Sequence, residues 1–258
     1  MAKKTSANSR RRPIDVVDAK VAVDLATAQT YSENVFLFVP NLIGYSRVVL
    51  AAMALHYMNY HPKYCTLAYT VSCLLDAFDG HAARALGQTS KFGAVLDMVT
   101  DRCTTSALLC YLASAYPAYA IVFQILISLD FSSHYMHMYS SLVTGSRSHK
   151  IVTSEVSRIL WFYYNDPRVL FVICAGNELF YVALYLMKWV NTPLSTSLGL
   201  SVGYLEPYTW AEVMAMLCFP VCALKNVINV IQLWKASKIL VGVDLAERAQ
   251  AREDAKRS

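Results

Sequence analysis

The sequence predicts an all-α, polytopic integral membrane protein with six transmembrane helices. Three observations predict it. The 258 residues are 56% hydrophobic and only 16% charged, with a mean hydropathy of +0.36, too apolar for an ordinary soluble domain. Six apolar stretches approach the roughly 20 residues that a helix needs to cross a bilayer. Successive connections are alternately rich and poor in Lys and Arg, the asymmetry left by the positive-inside rule.

Residues 1–33 come first. They are polar and basic, with Lys3, Lys4, Arg10, Arg11 and Arg12, and read as a flexible cytoplasmic extension with some amphipathic helix near 14–28. No apolar run follows until Val35, so a cleaved signal peptide is not expected. The basic residues fit a positive-inside flank better than a lipid-binding arm.

The membrane domain is expected over 34–240, with spans at 42–60, 64–84, 93–116, 118–142, 169–190 and 210–234. His61-Pro62-Lys63 makes the first turn, and Pro117 separates the third and fourth spans. Residues 241–258 alternate acids and bases and are expected as an exposed, charged, helical cytoplasmic tail.

One side collects the N-terminal cations, Lys91, Arg147, Lys150, Arg158, Lys235, Lys238 and the C-terminal cations. The other holds only Lys63 and Lys188. Both termini and the turn between the second and third spans are therefore expected in the cytoplasm. The seven cysteines form no Cys-x-x-Cys pair and fall mostly in apolar runs, so they read as buried thiols.

Chemistry concentrates between residues 76 and 101. Asp76 and Asp79 are spaced i,i+3, and Asp97 and Asp101 i,i+4, so each pair shares a helix face near the cytoplasmic end of its span. Intramembrane carboxylates are costly unless compensated. Arg84 and Arg102 alone lie close in sequence, too few to neutralise four acids. Divalent metal is the expected compensation, because hard cations take oxygen ligands.

Other polar residues allow two readings each. Asn41 and Arg47 open the first span as binding residues, or as a helix start with a snorkelling arginine. Asp130, His134 and His137, at i,i+4,i+7, make a second metal site or, better supported, a polar stripe facing the cavity. Arg147 and Lys150 hold a polyol or its phosphate, or simply form a solvated loop. Glu178 is better read as an interhelical hydrogen-bonding residue or dimer contact than as a ligand.

The run Asp76-x-x-Asp79-Gly80-x-x-Ala83-Arg84, eight residues, Gly93-x-x-x-Asp97-x-x-x-Asp101 meets every fixed position of the CDP-alcohol phosphatidyltransferase pattern, and the chain resembles that family from about Asn34 onward. The segments 34–45, 74–86 and 175–181 are similar to its eukaryotic, inositol-using branch. Pro40-Asn41-x-x-Gly44-x-x-Arg47 resembles the family's P-N-x-x-T-x-x-R, with Gly44 where a hydroxyl residue is frequent.

The resemblance implies transfer of a phosphatidyl group from CDP-diacylglycerol to myo-inositol, with release of CMP, in the endoplasmic reticulum membrane. It implies two Mg²⁺ or Mn²⁺ ions on Asp76, Asp79, Asp97 and Asp101, with Asp101 also the general base. It implies Gly80 and Gly93 where nucleotide nears backbone, Arg84 on the diphosphate, and Ser90 as a hydroxyl donor to the nucleotide lipid. A homodimer fits the family, and no nucleic-acid partner is expected. Rival readings are another acceptor (glycerol phosphate, serine or choline) and a divalent-cation transporter, which would place its carboxylates near mid-membrane.

Overall fold

The computed structural model of the protein describes residues 23, 26, 34–144, 158–198 and 207–257. Among the described residues there is no β-strand, only an isolated bridge between Pro193 and Thr209. The all-α expectation is met. The N-terminal extension lies outside the described residues apart from Val23 and Ala26, which are helical.

Local signals start and stop each helix. A 3-10 turn, Val35–Leu37, is capped by Asn34, whose Oδ1 accepts from Phe36 N at 3.1 Å. α1 (Val39–Tyr57) and α2 (Pro62–Ala85) both carry proline in the first turn, where a missing N–H costs nothing. α2 stops at Leu86, and Gly87 follows with φ +64°, the left-handed conformation that glycine adopts without a Cβ penalty.

Ser90 caps α3 (Lys91–Ala115), its Oγ accepting from Gly93 N at 2.9 Å. A 3-10 turn, Pro117–Tyr119, leads into α4 (Ala120–Val143). A short α5 (Arg158–Asn165) precedes α6 (Pro167–Leu186), which Asp166 caps. After the single turn α7 (Leu194–Leu198), Thr209 and Glu212 open α8 (Trp210–Arg257) with a capping box. Glu212 Oε2 accepts from Thr209 N at 2.7 Å, and Thr209 Oγ1 accepts from Glu212 N at 3.3 Å.

α8 spans Trp210–Arg257, 48 residues or about 72 Å at 1.5 Å per residue. It does not end near residue 234, where the last span was expected. The charged tail is the same helix continued, because its Ala, Glu, Arg and Lys residues are strong helix formers.

Six long helices thus occupy the six segments expected to span. Two of them, α6 and α8, are long and apolar enough to cross a membrane by hydropathy alone. In α2 and α3 the motif's own Asp and Arg residues dilute the apolar runs. All six nevertheless expose large apolar side chains, among them Val49, Leu67, Val99, Ile121, Phe171 and Leu217.

α1 packs on α2, α3 lies against α1 and α4, and α8 closes against α4 and α6. The main apolar core gathers residues from alternating helix ends: Ala54 and Met58, Cys65 and Tyr69, Leu108 to Leu112, Phe123, Tyr181 to Leu186, and Ala211. Up-and-down packing brings these to one end of the bundle. The start of α1, the end of α2 and the start of α3 meet at the other end, and that is where the carboxylates lie.

Candidate active site

The α2–α3 turn is fastened to the start of α1. Val39 N donates to Gln88 Oε1 at 2.9 Å, and Asn41 Nδ2 donates to Val35 O at 2.6 Å. α1 and α3 approach closely at two glycines. A Cβ on Gly93 would meet Asn41 Oδ1 at 2.6 Å, and one on Gly44 would meet Leu96 Cδ2 at 2.9 Å. Gly93 makes room for a neighbouring helix, whose Asn41 lies against it, and Asn41 itself is 1% exposed. At Gly44, where a hydroxyl residue is frequent in the family pattern, a larger side chain would require Leu96 to shift.

The close joint aligns three helices around one guanidinium. Arg47, on α1 and only 2% exposed, reaches all four motif carboxylates. Nη1 donates to Asp79 Oδ2 at 2.7 Å and Asp97 Oδ1 at 2.9 Å, while Nη2 meets Asp76 Oδ1 at 2.7 Å and Asp101 Oδ1. Arg47 is thus turned inward rather than snorkelling, from a helix position 29 residues before Asp76. Sequence distance hides it, because helix packing alone makes the two near.

One guanidinium does not balance four carboxylates. Arg102 adds a second cation only at Asp101, 3.5 Å away. Asp76, Asp97 and Asp101 each offer an oxygen within 4.8 Å of the other two, a hard, all-oxygen donor set that suits Mg²⁺ or Mn²⁺. Asp79 stands outside this trio. It is the most buried of the four, and its Oδ2 is spent on Arg47. The expected set of four ligands is therefore three convergent oxygens and a fourth carboxylate behind them.

The other expected residues surround this centre unevenly. Gly80 is open: a Cβ there would meet only the Arg84 guanidinium, its nitrogens at 3.5 and 3.9 Å. Arg84 is exposed, near His81 Nδ1 at 3.5 Å, and forms no ion pair among the described residues. Ser90 Oγ accepts a helix-cap bond and keeps its own O–H to donate. Arg147 and Lys150 lie outside the described residues.

A second polar network begins beside Asp101. Arg102 Nη2 lies 3.5 Å from Asp101 Oδ2, and its Nη1 donates to Asp130 Oδ1 at 3.0 Å. The same Nη1 lies 3.2 Å from His134 Nε2. Arginine can only donate, so His134 Nε2 accepts, and its Nδ1–H donates to Asp130 O at 2.8 Å. His137 is buried and stacks on Tyr164, 5.6 Å between ring centroids. No second metal cluster occurs among the described residues.

From α8, Asn229 Nδ2 donates to Asp130 Oδ1 at 3.2 Å, and buried Lys225 donates to Asn229 Oδ1. Sequence reading missed these two residues. Their signal was present, since Lys225, Asn229 and Gln232 mark one face of an otherwise apolar helix. Glu178 behaves as expected, accepting from Tyr69 OH at 2.6 Å and Thr105 Oγ1 at 2.9 Å, so that α6 is tied to α2 and α3.

The family model for CDP-alcohol phosphatidyltransferase matches residues 37–241, which include every residue of this site. The chain belongs to that family. This phosphatidyltransferase is 52% identical over 227 residues to a Schizosaccharomyces pombe protein named CDP-diacylglycerol--inositol 3-phosphatidyltransferase, covering 85% of this chain and 95% of that one. Proteins of the same name from Homo sapiens and Saccharomyces cerevisiae are 46% and 44% identical, covering 84% and 83% of the phosphatidyltransferase and 98% and 90% of their own lengths. No solved structure matches it.

Proposed function

We propose that the protein transfers the phosphatidyl group of CDP-diacylglycerol to myo-inositol, giving phosphatidylinositol and CMP. The observation that carries this reading is the convergence of the family's carboxylates at one end of the bundle, in a chain 44–52% identical to relatives named for that reaction. A carboxylate cluster at the helix ends also suits a lipid whose diphosphate sits at headgroup level while its acyl chains lie in the bilayer.

Asp76, Asp97 and Asp101 hold Mg²⁺ or Mn²⁺ in this reading, and Asp79 joins them in holding a second ion. Two divalent cations would offset the carboxylate charge that Arg47 leaves unbalanced, which favours a bound diphosphate. Bound metal would neutralise the phosphate oxygens and make phosphorus more electrophilic. Arg84, exposed and without an ion pair among the described residues, binds the diphosphate, and the open flank at Gly80 admits it. The Ser90 hydroxyl donates to the nucleotide lipid.

An inositol hydroxyl attacks the lipid-side phosphorus, the new P–O bond forms, and the P–O bond to CMP breaks. Asp101 takes the hydroxyl proton. His134 is poorly placed to replace it, because its Nε2 lone pair already accepts from Arg102. All six long helices cross the endoplasmic reticulum membrane in this reading, with both termini and the active site cytoplasmic. The Lys and Arg asymmetry and the exposed apolar residues on each helix support that topology.

The test is CMP release by purified protein from labelled CDP-diacylglycerol with a panel of acceptors. Release is expected with myo-inositol and not with serine, choline or glycerol phosphate, and should stop in excess EDTA and return with Mg²⁺ or Mn²⁺. Release with one of the other acceptors but not with inositol would overturn the assignment, and substantial turnover in EDTA would overturn the metal site.

A further inference from the structure

Glu178, on α6, stands between the two helices that carry the motif. Its Oε2 accepts from Tyr69 OH on α2 at 2.6 Å, and its Oε1 accepts from Thr105 Oγ1 on α3 at 2.9 Å. Tyr69 and Thr105 are both buried. Thr105 is four residues beyond Asp101, and Tyr69 is seven before Asp76, so each shares a helix face with one of the converging acids. The bridge lies deeper in the bundle than those acids, about 6 Å from the level of Asp101 and about 10 Å from that of Asp76 at 1.5 Å per residue.

The bridge matters because α2 and α3 have little packing against one another. α2 packs on α1, and α3 packs on α1 and α4. Yet the three converging oxygens come from both, Asp76 from α2 and Asp97 and Asp101 from α3. Their grouping within 4.8 Å therefore depends on the spacing and relative height of two helices that scarcely touch. Arg47 spans the gap at the level of the carboxylates, and Ser72 Oγ, between Tyr69 and Asp76 on α2, donates to Arg47 O at 3.3 Å. Glu178 spans the gap below. A carboxylate suits that place because it offers two acceptors side by side, one for each hydroxyl.

We propose that Glu178 is a positioning residue for the metal site: it sets the α2–α3 spacing at which Asp76 converges with Asp97 and Asp101. The proposal rests on the metal-dependent reading above. Glu178 is not itself a ligand. It acts through Tyr69 and Thr105, so losing either arm frees the two helices as fully as losing both. Its effect comes from the bridge and not from its charge, so a side chain of the same length with an acceptor oxygen retains most of it.

The experiment titrates Mn²⁺ into purified full-length protein without substrate and follows the bound ion by electron paramagnetic resonance. Wild type is compared with Glu178→Gln, Glu178→Leu, Tyr69→Phe, Thr105→Val and the Tyr69→Phe, Thr105→Val double variant. CMP release against Mg²⁺ concentration is measured alongside. Glu178→Leu removes both bonds at similar volume and should weaken Mn²⁺ binding about tenfold, the lower end for residues that orient metal ligands from outside the site. The Mg²⁺ concentration for half-maximal release should rise by the same factor, while kcat recovers at saturating Mg²⁺. Glu178→Gln should bind Mn²⁺ within about threefold of wild type, since its amide still bridges the two hydroxyls. Each single hydroxyl variant should match the double variant, because a bridge cut at one end no longer spans.

Unchanged Mn²⁺ affinity in Glu178→Leu overturns the proposal. An equal loss in Glu178→Gln also overturns it, by assigning the effect to charge. Additive losses in Tyr69→Phe and Thr105→Val overturn the bridge as a unit. Should Glu178→Leu fail to fold, the two hydroxyl variants decide, and unchanged Mn²⁺ affinity in both overturns the proposal. A wild-type protein that binds no Mn²⁺ is a different result, since it removes the metal reading itself.

Discussion

At the residue scale the site turns on how Asp101 divides its two oxygens. Oδ1 belongs to the carboxylate group around Arg47, and Oδ2 faces Arg102 and the polar network beyond it. One carboxylate therefore touches both the carboxylate group and the polar network, which in the proposed reaction suits a ligand that also removes a proton. Asp101→Asn keeps an amide oxygen that can ligate weakly but cannot take the proton. Its affinity for CDP-diacylglycerol should stay near wild type while CMP release falls by about 10²-fold or more, the usual scale for a general base. Binding and turnover measured on the same preparation decide the point: turnover within about threefold of wild type would mean that the proton leaves by another route.

At the scale of elements, the α1–α3 joint sets the positions of the catalytic groups. Asn41 is buried, bonded to Val35 O and pressed against Gly93, so it has little freedom to yield. Gly93→Ala should destabilise the protein by about 1–3 kcal/mol, the range for overpacking a filled interface. Paired thermal melts provide the measurement, with Asn41→Ala included to complete a double-mutant cycle. The combined variant should recover part of the loss, because removing the Asn41 amide removes the collision. A Gly93→Ala protein that melts with wild type would show that α1 and α3 are not held by this contact.

At the scale of the whole molecule, apolar core and charged site occupy opposite ends of one bundle. Sidedness follows from that division together with the loop cations. Single cysteines at Thr89 and Lys63, both exposed and at opposite ends of α2, should label from opposite sides of sealed vesicles, with Thr89 cytoplasmic. Thr89 is a better probe than Gly87, whose positive φ disfavours any side chain. The background must lack all seven native cysteines, since Cys73, Cys103 and Cys110 are exposed. Labelling of Thr89→Cys from the lumen alone would reverse the orientation.

The sequence by itself determined the helical class, the six long helices and the carboxylates of the motif. Each rests on short-range information: apolar run length, proline and serine at helix starts, glycine at a stop, and carboxylates one turn apart. Only the tertiary structure decided that Arg47 lies among all four motif carboxylates, that Asn41 fills the space beside Gly93, and that Lys225 and Asn229 join Arg102 and Asp130. These residues sit on helices far apart in the chain, and which faces meet depends on how whole helices pack. A local pattern shows that a polar residue is out of place in an apolar run, but its partner is chosen by the interhelical contact.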